Sequence, residues 1–326
     1  MKALALFSGG LDSMLAVKLL VDQGIEVIAL HIDIGFNSKK DNHTSLKERA
    51  AMAGAHLEII DVHDAYLQDV LFKPKYGYGK QFNPCIDCHG YMFRVAKGLL
   101  ARFGASFIVT GEVVGQRPMS QTKEALRNVK RLANDLDENL ILRPLSAKLM
   151  EESTPEKEGW VDRTRLLDLN GRGRKGQLAL AHAFGWKDYP SPAGGCLLAD
   201  IQFTQRLRDL LAHEPFEQSD TLILKNGRHF RLPEGAKLVL GRNQAENDFL
   251  ETVENSKYIR LHVNDLNAPS GLLSKNASEE ETLHACRILL SFTKAHAHTT
   301  YSIQAGERFI CTHAFDDRSL ARSFLI

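Results

Sequence analysis

Apolar residues fill positions 3–7 without a break, then recur at helical spacing as Met14, Leu15, Val17, Leu19 and Leu20. The first run predicts a buried strand and the second a helix, joined by the short glycine-rich stretch 8–13, Ser-Gly-Gly-Leu-Asp-Ser. The pattern then repeats. Residues 26–32 are β-branched and apolar and predict a second strand, followed by a polar loop at 33–43. A short helix is expected at 46–53, a strand at 56–60 and helical character at 64–72. Pro74 and the glycines near it make 73–83 an irregular excursion. A helix at 90–103, a strand at 106–110 with a loop at 111–116, and a short strand at 140–142 ahead of Arg143 follow. Further helices are expected at 148–158, 177–184 and 203–211. Between them lie a basic turn at 171–175 and a Pro- and Gly-rich stretch at 189–196.

Strand–helix alternation of this kind predicts an α/β fold, a doubly wound parallel sheet whose ligands sit at the carboxyl ends of the strands. The 8–13 loop, the 111–116 loop and Arg143 would then share one edge. Around 214–219 the texture changes to short strands and turns: 222–224, 227–232, 237–242 and 258–261, then a helix at 279–293 and late strands at 299–303 and 307–313. This predicts a smaller α+β C-terminal domain, with domains at 1–202 and 203–326.

The composition leaves this picture intact. The chain has 326 residues, 44% hydrophobic and 25% charged, enough for ordinary cores. The net charge of +1 announces no nucleic acid, so RNA contact has to come from a local patch. No apolar run approaches the roughly 18 residues of a membrane span, and no signal-peptide pattern precedes the first strand. A cytoplasmic protein without membrane contact is expected. Five cysteines in a chain of this length do not read as a disulfide framework.

The chemistry starts at residues 8–13. A tight glycine turn into a helix start gathers unpartnered N–H groups at the positive end of the helix dipole, and an anion, most often a phosphate, fits there. Gly9 and Gly10 admit close approach, and Ser8 and Ser13 add hydroxyls. Asp12 would repel the phosphate unless a Mg²⁺ bridged the two. An ordinary β-turn-α connection would need none of this. The loop lacks the G-x-x-x-x-G-K-[ST] pattern of a Walker A loop. Cys85 and Cys88 form a C-x-x-C on a loop ahead of a helix, and Cys196 sits in a glycine-rich loop downstream. Three readings stand: a persulfide relay favoured by a helix N-terminus, a metal site of the Fe–S or zinc kind, or three free thiols. His89 is a candidate fourth zinc ligand or a residue of the helix surface.

The hexapeptide resembles the PP-loop, SGGxDS, of the ATP pyrophosphatases, with their adenine nucleotide alpha hydrolase-like fold. Asn83-Pro84-Cys85-x-x-Cys88 is similar to the NP(C)xxC element of tRNA 2-thiouridylases. Thr110-Gly111-Glu112-x-x-Gly115-Gln116 with Ser120-Gln121-Thr122, and Leu142-Arg143-Pro144-Leu145, resemble elements of tRNA 4-thiouridine synthetases. The resemblance covers most of residues 1–200. It implies ATP-dependent tRNA thiolation: ATP adenylates a uridine carbonyl oxygen, and sulfur then displaces AMP. It assigns Ser8, Gly9, Gly10, Asp12 and Ser13 to the phosphates and Mg²⁺. His31 and Ile32 fall near the adenosine, Gly111 and Gln116 on the same edge, and Arg143 at the pyrophosphate charge. Cys85, Cys88 and Cys196 deliver sulfur, and the spacing is similar to members that hold a 4Fe–4S cluster on three cysteines. A sulfur donor, sulfide or a persulfide carrier, is implied. The same loop also serves amidotransferases and ligases, and a nucleotide-gated RNA-binding protein is a third possibility.

Nothing ahead of the loop corresponds to the N-terminal tRNA-binding module of typical 4-thiouridine synthetases, and no rhodanese-like domain follows. RNA contact is therefore expected from elsewhere in the chain. The segment 227–243 is similar to the RNA-binding domain of NFACT proteins and gathers Arg228, His229, Phe230, Arg231, Lys237 and Arg242. Basic side chains contact phosphate and an aromatic stacks on a base, or else Phe230 lies in a core beneath a solvated hairpin. Residues 203–326 carry 15 Lys or Arg against 16 Asp or Glu, so any basic patch is local. Arg172, Arg174 and Lys175 are candidates for tRNA contact near the PP-loop.

Overall fold

The computed structural model describes residues 1–37, 43–187, 189 and 196–326. It divides into two compact units, Met1–Asp200 and Ile201–Ile326. The loop expected at 33–43 and the stretch at 189–196 therefore fall partly outside the described residues.

The first unit is built on β1 (Lys2–Leu6), β2 (Glu26–Asp33), β3 (His56–Asp61), β4 (Phe107–Thr110) and β5 (Ile141–Leu142). All pair in parallel, in the order β3-β2-β1-β4-β5. Alternate residues of the strands serve opposite faces. Ala3, Ala5, Val27, Ala29, Phe107 and Val109 join the core formed with α1 (Leu11–Val21), α2 (His43–Ala53) and α7 (Lys175–Ala183). Leu4, Leu30 and Ile108 are buried toward the other face, where α4 (Cys85–Phe103) lies on β1 and β4. The sheet is thus doubly wound. Since β1 stands between β2 and β4, the turn after β1 and the turn after β4 open side by side where the winding reverses, the place at which such sheets hold ligands.

Three expectations for this unit are corrected. The helix expected from 90 begins at Cys85, so Cys85 and Cys88 lie in its first turn rather than on a loop. Pro84 precedes them, and Gly104, at φ 61°, ends the helix in a left-handed cap. The helix expected at 148–158 is instead a 3₁₀ turn, Ala147–Leu149, and the short α6 (Thr154–Lys157). Ser153 caps α6 reciprocally with Glu156, and Pro155 suits only a first turn, so the chain restarts there. Finally, α5 (Lys123–Leu132), capped by Thr122, packs on α4 and was not foreseen. The remaining helical segments described in the unit are α3 (His63–Tyr66), continued by a π-helical turn, Leu67–Leu71, and two 3₁₀ turns, Arg163–Arg165 and Leu197–Ala199.

The second unit opens with α8 (Ile201–His213) and α9 (Asp220–Leu224). The latter replaces a strand expected at 222–224: three apolar residues in a row do not distinguish the two. Its sheet is antiparallel, in the order β11-β10-β8-β9-β7-β6. The strands are β6 (Arg228–Arg231), β7 (Lys237–Leu240), β8 (Tyr258–Val263), β9 (Gly271–Ser274), β10 (Tyr301–Ala305) and β11 (Arg308–Thr312). One face packs on α11 (Glu279–Ser291) through Phe230, Leu238, Leu261, Leu273 and Ile303. On the other face, α9 and α10 (Gln244–Thr252) cover Val239 and Leu272 with Ile223 and Leu250. A short α12 (Arg318–Ser323) closes the chain. Among the described residues no helix is long and apolar enough to cross a membrane.

Candidate active site of the first unit

Phe7 leaves β1 and the chain turns through Gly9, at φ 71°, into α1. A Cβ on Gly9 would sit 2.6 Å from Leu46 Cδ2, so both the backbone angle and the packing call for glycine. The Ser13 hydroxyl donates to the Gly10 carbonyl at 2.7 Å, and the Gly10 N–H donates to Ser8 Oγ at 3.3 Å. Gly111, at the end of β4, presses against this turn. A Cβ there would lie 2.5 Å from the Asp12 carbonyl group and 2.6 Å from Ser13 N. Gly111 therefore acts through backbone packing, as the residue that lets β4 touch the start of α1.

The Asp12 carboxylate is held on one side only. Its Oδ2 accepts from Gln116 Nε2 at 2.7 Å and from Arg174 Nη2 at 3.2 Å. Buried Gln177 of α7 fixes Gln116 in turn, donating to its Oε1 at 2.9 Å. Asp12 Oδ1 is buried with no hydrogen-bond partner, and so is Arg174 Nε. An unsatisfied buried carboxylate oxygen at a phosphate-type loop is the kind of vacancy that a bound cation fills. The residues present fit a Mg²⁺ there. Arg174 was expected to face RNA and instead turns in to Asp12, whereas Arg172 and Lys175 on either side of it are exposed.

Arg143 follows β5 and is buried, its Nε donating to Glu112 Oε2 at 3.0 Å and its guanidinium lying over Phe93. Glu112 Oε1 takes a hydrogen bond from His89 Nδ1 at 2.7 Å. Burial alone would raise the Glu112 pKa. The Arg143 charge and the His89 hydrogen bond outweigh it and hold the carboxyl below its ordinary value. Arg143 Nη2 remains buried and unpaired. His89, a candidate zinc ligand or surface residue, is thus an anchor for Glu112. Glu112 stands inside the Thr110–Gln116 motif, but the sequence carries no sign of its two buried partners.

His31, on β2, donates from Nδ1 to the Phe7 carbonyl at 2.9 Å, leaving Nε2 to accept from Asn37 Nδ2 at 3.3 Å. Ile32 is buried beside it. Asn37 also donates to Asp33 and pairs through its backbone with Cys196. Leu197 N bonds the Phe36 carbonyl, so Cys196 is tied to the end of β2.

The three thiols lie within electrostatic reach of one another. Cys88 is influenced by Cys196 and Cys85, and Cys196 by Cys85. Desolvation first, then the neighbouring sulfurs, push Cys88 far above its ordinary value. Cys196 is raised to about 11, again by desolvation, although the residue as a whole is exposed and Arg117 pulls the other way. Asn83 Nδ2 donates to Cys85 Sγ at 3.1 Å. The Tyr66 phenol, fully buried, interacts with the Cys88 thiol, yet its oxygen completes no hydrogen bond of ordinary geometry. Among the described residues no three His, Cys, Asp or Glu side chains converge on a single-ion site. Tyr66, Asn37 and Gln177 carried no sequence signal.

The basic hairpin of the second unit is arranged differently from expectation. Phe230 and His229 are fully buried, so Phe230 packs on Phe292 and offers no stacking surface. Arg231 grips Asp209 with two hydrogen bonds at 3.1 and 2.6 Å, and fully buried Lys237 reaches the same carboxylate at 3.1 Å. Burial pushes the Lys237 ammonium down to about 8 in spite of that carboxylate. Arg242 pairs with Glu246, and Arg228 donates to the Gly241 carbonyl over the Phe292 ring.

Residues 1–152 match the family model of the thiamine biosynthesis protein (ThiI), and residues 227–313 match that of the NFACT protein RNA binding domain. A "Probable tRNA sulfurtransferase" of Thermococcus kodakarensis is 35% identical over 152 residues, covering 46% of this chain and 38% of that protein. A tRNA-specific 2-thiouridylase MnmA of Dehalococcoides mccartyi is 33% identical over 119 residues, covering 32% of each chain. A crystal structure of a 4-thiouridine synthetase–RNA complex with bound ATP aligns at 26% identity and TM-score 0.35, over 45% of this chain and 37% of that one. The chain thus spans roughly a third of the length of the curated relatives it matches.

Proposed function

We propose that this chain, whose residues 1–152 match the ThiI family model and whose residues 227–313 match that of the NFACT protein RNA binding domain, is an ATP-dependent tRNA sulfurtransferase. The observation that carries this reading is the half-held Asp12 carboxylate at the glycine turn, with Cys196 tied to the end of the neighbouring strand β2.

Ser8, Gly9, Gly10 and Ser13 receive the ATP phosphates on the N–H groups and hydroxyls of the turn. Mg²⁺ on Asp12 Oδ1 would neutralise charge between carboxylate and phosphates. Gln116 and Gln177 keep Oδ1 turned toward that position, and Arg174 and Arg143 supply unpaired guanidinium N–H groups for the charge that develops on pyrophosphate. His31 and Ile32 border the adenosine. The uridine carbonyl oxygen attacks the α-phosphorus, an O–P bond forms, and pyrophosphate leaves with the bridging oxygen. A sulfur nucleophile then adds to the activated ring carbon, the C–O bond breaks, and AMP departs with its electron pair.

Cys85, Cys88 and Cys196 would present that sulfur in one of two ways. It is sulfide held at a cluster on the three thiols, with no redox change, or it is the outer sulfur that one thiol takes from a persulfide carrier. In the second case another thiol frees it by closing a disulfide that an external thiol reductant then reopens. Three soft thiolates, two of them one helical turn apart, suit a 4Fe–4S cluster, whereas a structural zinc ion wants a fourth ligand. Such a cluster would leave one iron free of protein ligands. Exposed Arg172 and Lys175 can meet tRNA phosphates directly, and Arg228 and Arg242 can do so only with the guanidinium N–H groups that Gly241 and Glu246 leave free.

The test separates the two half-reactions on unmodified tRNA, with ATP, Mg²⁺ and sulfide under anaerobic conditions. Asp12→Asn should lose both pyrophosphate release and thiouridine, each by roughly a hundredfold or more. Cys88→Ala should keep the first and lose the second. Full thiolation by Cys88→Ala would overturn the assignment.

A further inference from the structure

The antiparallel sheet of the second unit has one face filled by α11, but α9 and α10 cover only the β7–β9 part of the other. Among the described residues of this unit, no helix packs over the part of that face made by β8, β10 and β11. A cavity of about 310 Å³ lies where α10 meets this part, lined by Glu251, Arg260, His262, Ser270 and Gln304. Phe309 stands beside it on β11, 63% exposed, the most exposed large apolar side chain among the described residues. The register aligns these groups. Phe309 is opposite Gln304 on β10, and Gln304 is opposite His262 on β8. Residues paired in register leave the same face of the sheet, at steps of about 4.8 Å.

We propose that this cavity is a base-binding pocket for an unpaired RNA nucleotide, with Phe309 as the platform on which the adjacent base stacks. This rests on the reading of residues 227–313 as an RNA-binding domain, and it moves the contact away from the 227–243 hairpin, where Phe230 and Lys237 are buried.

The chemistry of the walls selects a base rather than a phosphate. Arg260 is the one Lys or Arg among the lining residues, and part of its guanidinium is engaged: Nη2 donates to the Val253 carbonyl at 2.9 Å. Glu251 stands in the same wall, where its Oε1 accepts from the Ser270 hydroxyl at 2.7 Å. A carboxylate repels phosphate but accepts from the amino group of a base. Gln304 Nε2 is anchored on the Gly306 carbonyl at 3.1 Å, which turns its Oε1 away as a fixed acceptor. His262 is exposed and brings ring nitrogens to the mouth of the cavity. A pocket of fixed acceptors and a few donors beside an exposed aromatic ring reads the edge of one base and stacks another, which requires a strand whose bases are free of a duplex. The preference should therefore run toward bases with an exocyclic amino group over uracil.

The experiment uses the full chain, fluorescein-labelled twelve-nucleotide oligomers of A, C and U, and fluorescence anisotropy over a range of salt. Wild type should bind the A and C oligomers several-fold more tightly than U. Phe309→Ala should weaken binding roughly fivefold to a hundredfold with the salt slope unchanged, because it removes stacking and no phosphate contact. Glu251→Gln should flatten the preference among the oligomers. Phe309 and Glu251 are exposed, so neither substitution threatens the core. If wild type binds RNA and Phe309→Ala binds it equally well, the pocket is wrong and the RNA-binding reading stands. If wild type binds none of the oligomers and no tRNA, both are wrong. If Phe309→Ala leaves RNA affinity intact but dissociates a dimer, the face is a contact between copies of the chain.

Discussion

Asp12 shows how a single carboxylate is held through one of its two oxygens. Gln116 and Arg174 both take Oδ2, so the free oxygen is always Oδ1, and Gln177 removes the remaining freedom of Gln116. Gln177→Leu keeps a side chain of similar volume in α7 but releases Gln116. In the reconstituted reaction it should raise the KM for ATP·Mg²⁺ several-fold and change stability little. An unchanged KM would show that Gln177 does no more than fill space. Gly111 carries a harder constraint. The atoms a Cβ would meet are the backbone of Asp12 and Ser13, which no rotamer change relieves. Gly111→Ala should destabilise the first unit by about 1–3 kcal/mol and abolish ATP-dependent pyrophosphate release. Thermal unfolding together with a pyrophosphate assay checks both. The glycine was legible as part of a motif, but its reason was not, because the contact joins residues about a hundred positions apart.

At the scale of elements, periodicity found the strands of the parallel sheet, since buried parallel strands are apolar runs bounded by glycine or polar loops. It failed where local pattern is ambiguous or overridden. Residues 222–224 are apolar in a helix as they would be in a strand, and Pro155 divides a stretch that otherwise reads as one helix. It failed again over the 227–243 hairpin, where the sequence shows charges and cannot show their partners. Asp209 on α8 takes both Arg231 and Lys237. Lys237→Met leaves Asp209 paired with Arg231. It should leave RNA affinity within about twofold of wild type, with no change in salt slope, whereas a phosphate-contacting lysine would lower a single-strand slope by about 0.7.

His229 in the same hairpin is fully buried, with Nε2 on the Asn226 carbonyl and Nδ1 unpartnered. Burial, then the charges of Lys237 and Arg206, hold its pKa well below 6.5. The folded state therefore binds fewer protons than the unfolded one once the pH falls below about 6.5. Stability is lost on acidification through that value, by at most about 1.4 kcal/mol per pH unit for this one group. The unfolding transition of the second unit should shift to lower temperature between pH 7.5 and pH 5.5. His229→Gln should reduce that shift, and an identical shift in wild type and variant would refute the assignment.

In the molecule as a whole, the proposed reaction assigns nucleotide and sulfur chemistry to the first unit and RNA contact to the second. The first unit gathers the glycine turn of residues 8–13 and three thiols at the carboxyl ends of a parallel sheet. They come from positions as far apart as 8 and 196, brought together by the order β3-β2-β1-β4-β5. The sequence carried the two motifs, while their meeting depends on Asn37 and Phe36 tying Cys196 to the end of β2. The central claim is that phosphate chemistry at Asp12 drives sulfur into a tRNA uridine. Its most direct test is mass spectrometry of nucleosides from unmodified tRNA incubated anaerobically with the purified protein, Mg²⁺ and sulfide, with and without ATP. The account predicts thiouridine that requires ATP, is lost in Asp12→Asn and is lost in Cys88→Ala. Absence of thiouridine from the complete wild-type reaction, or its formation by Asp12→Asn, would contradict it.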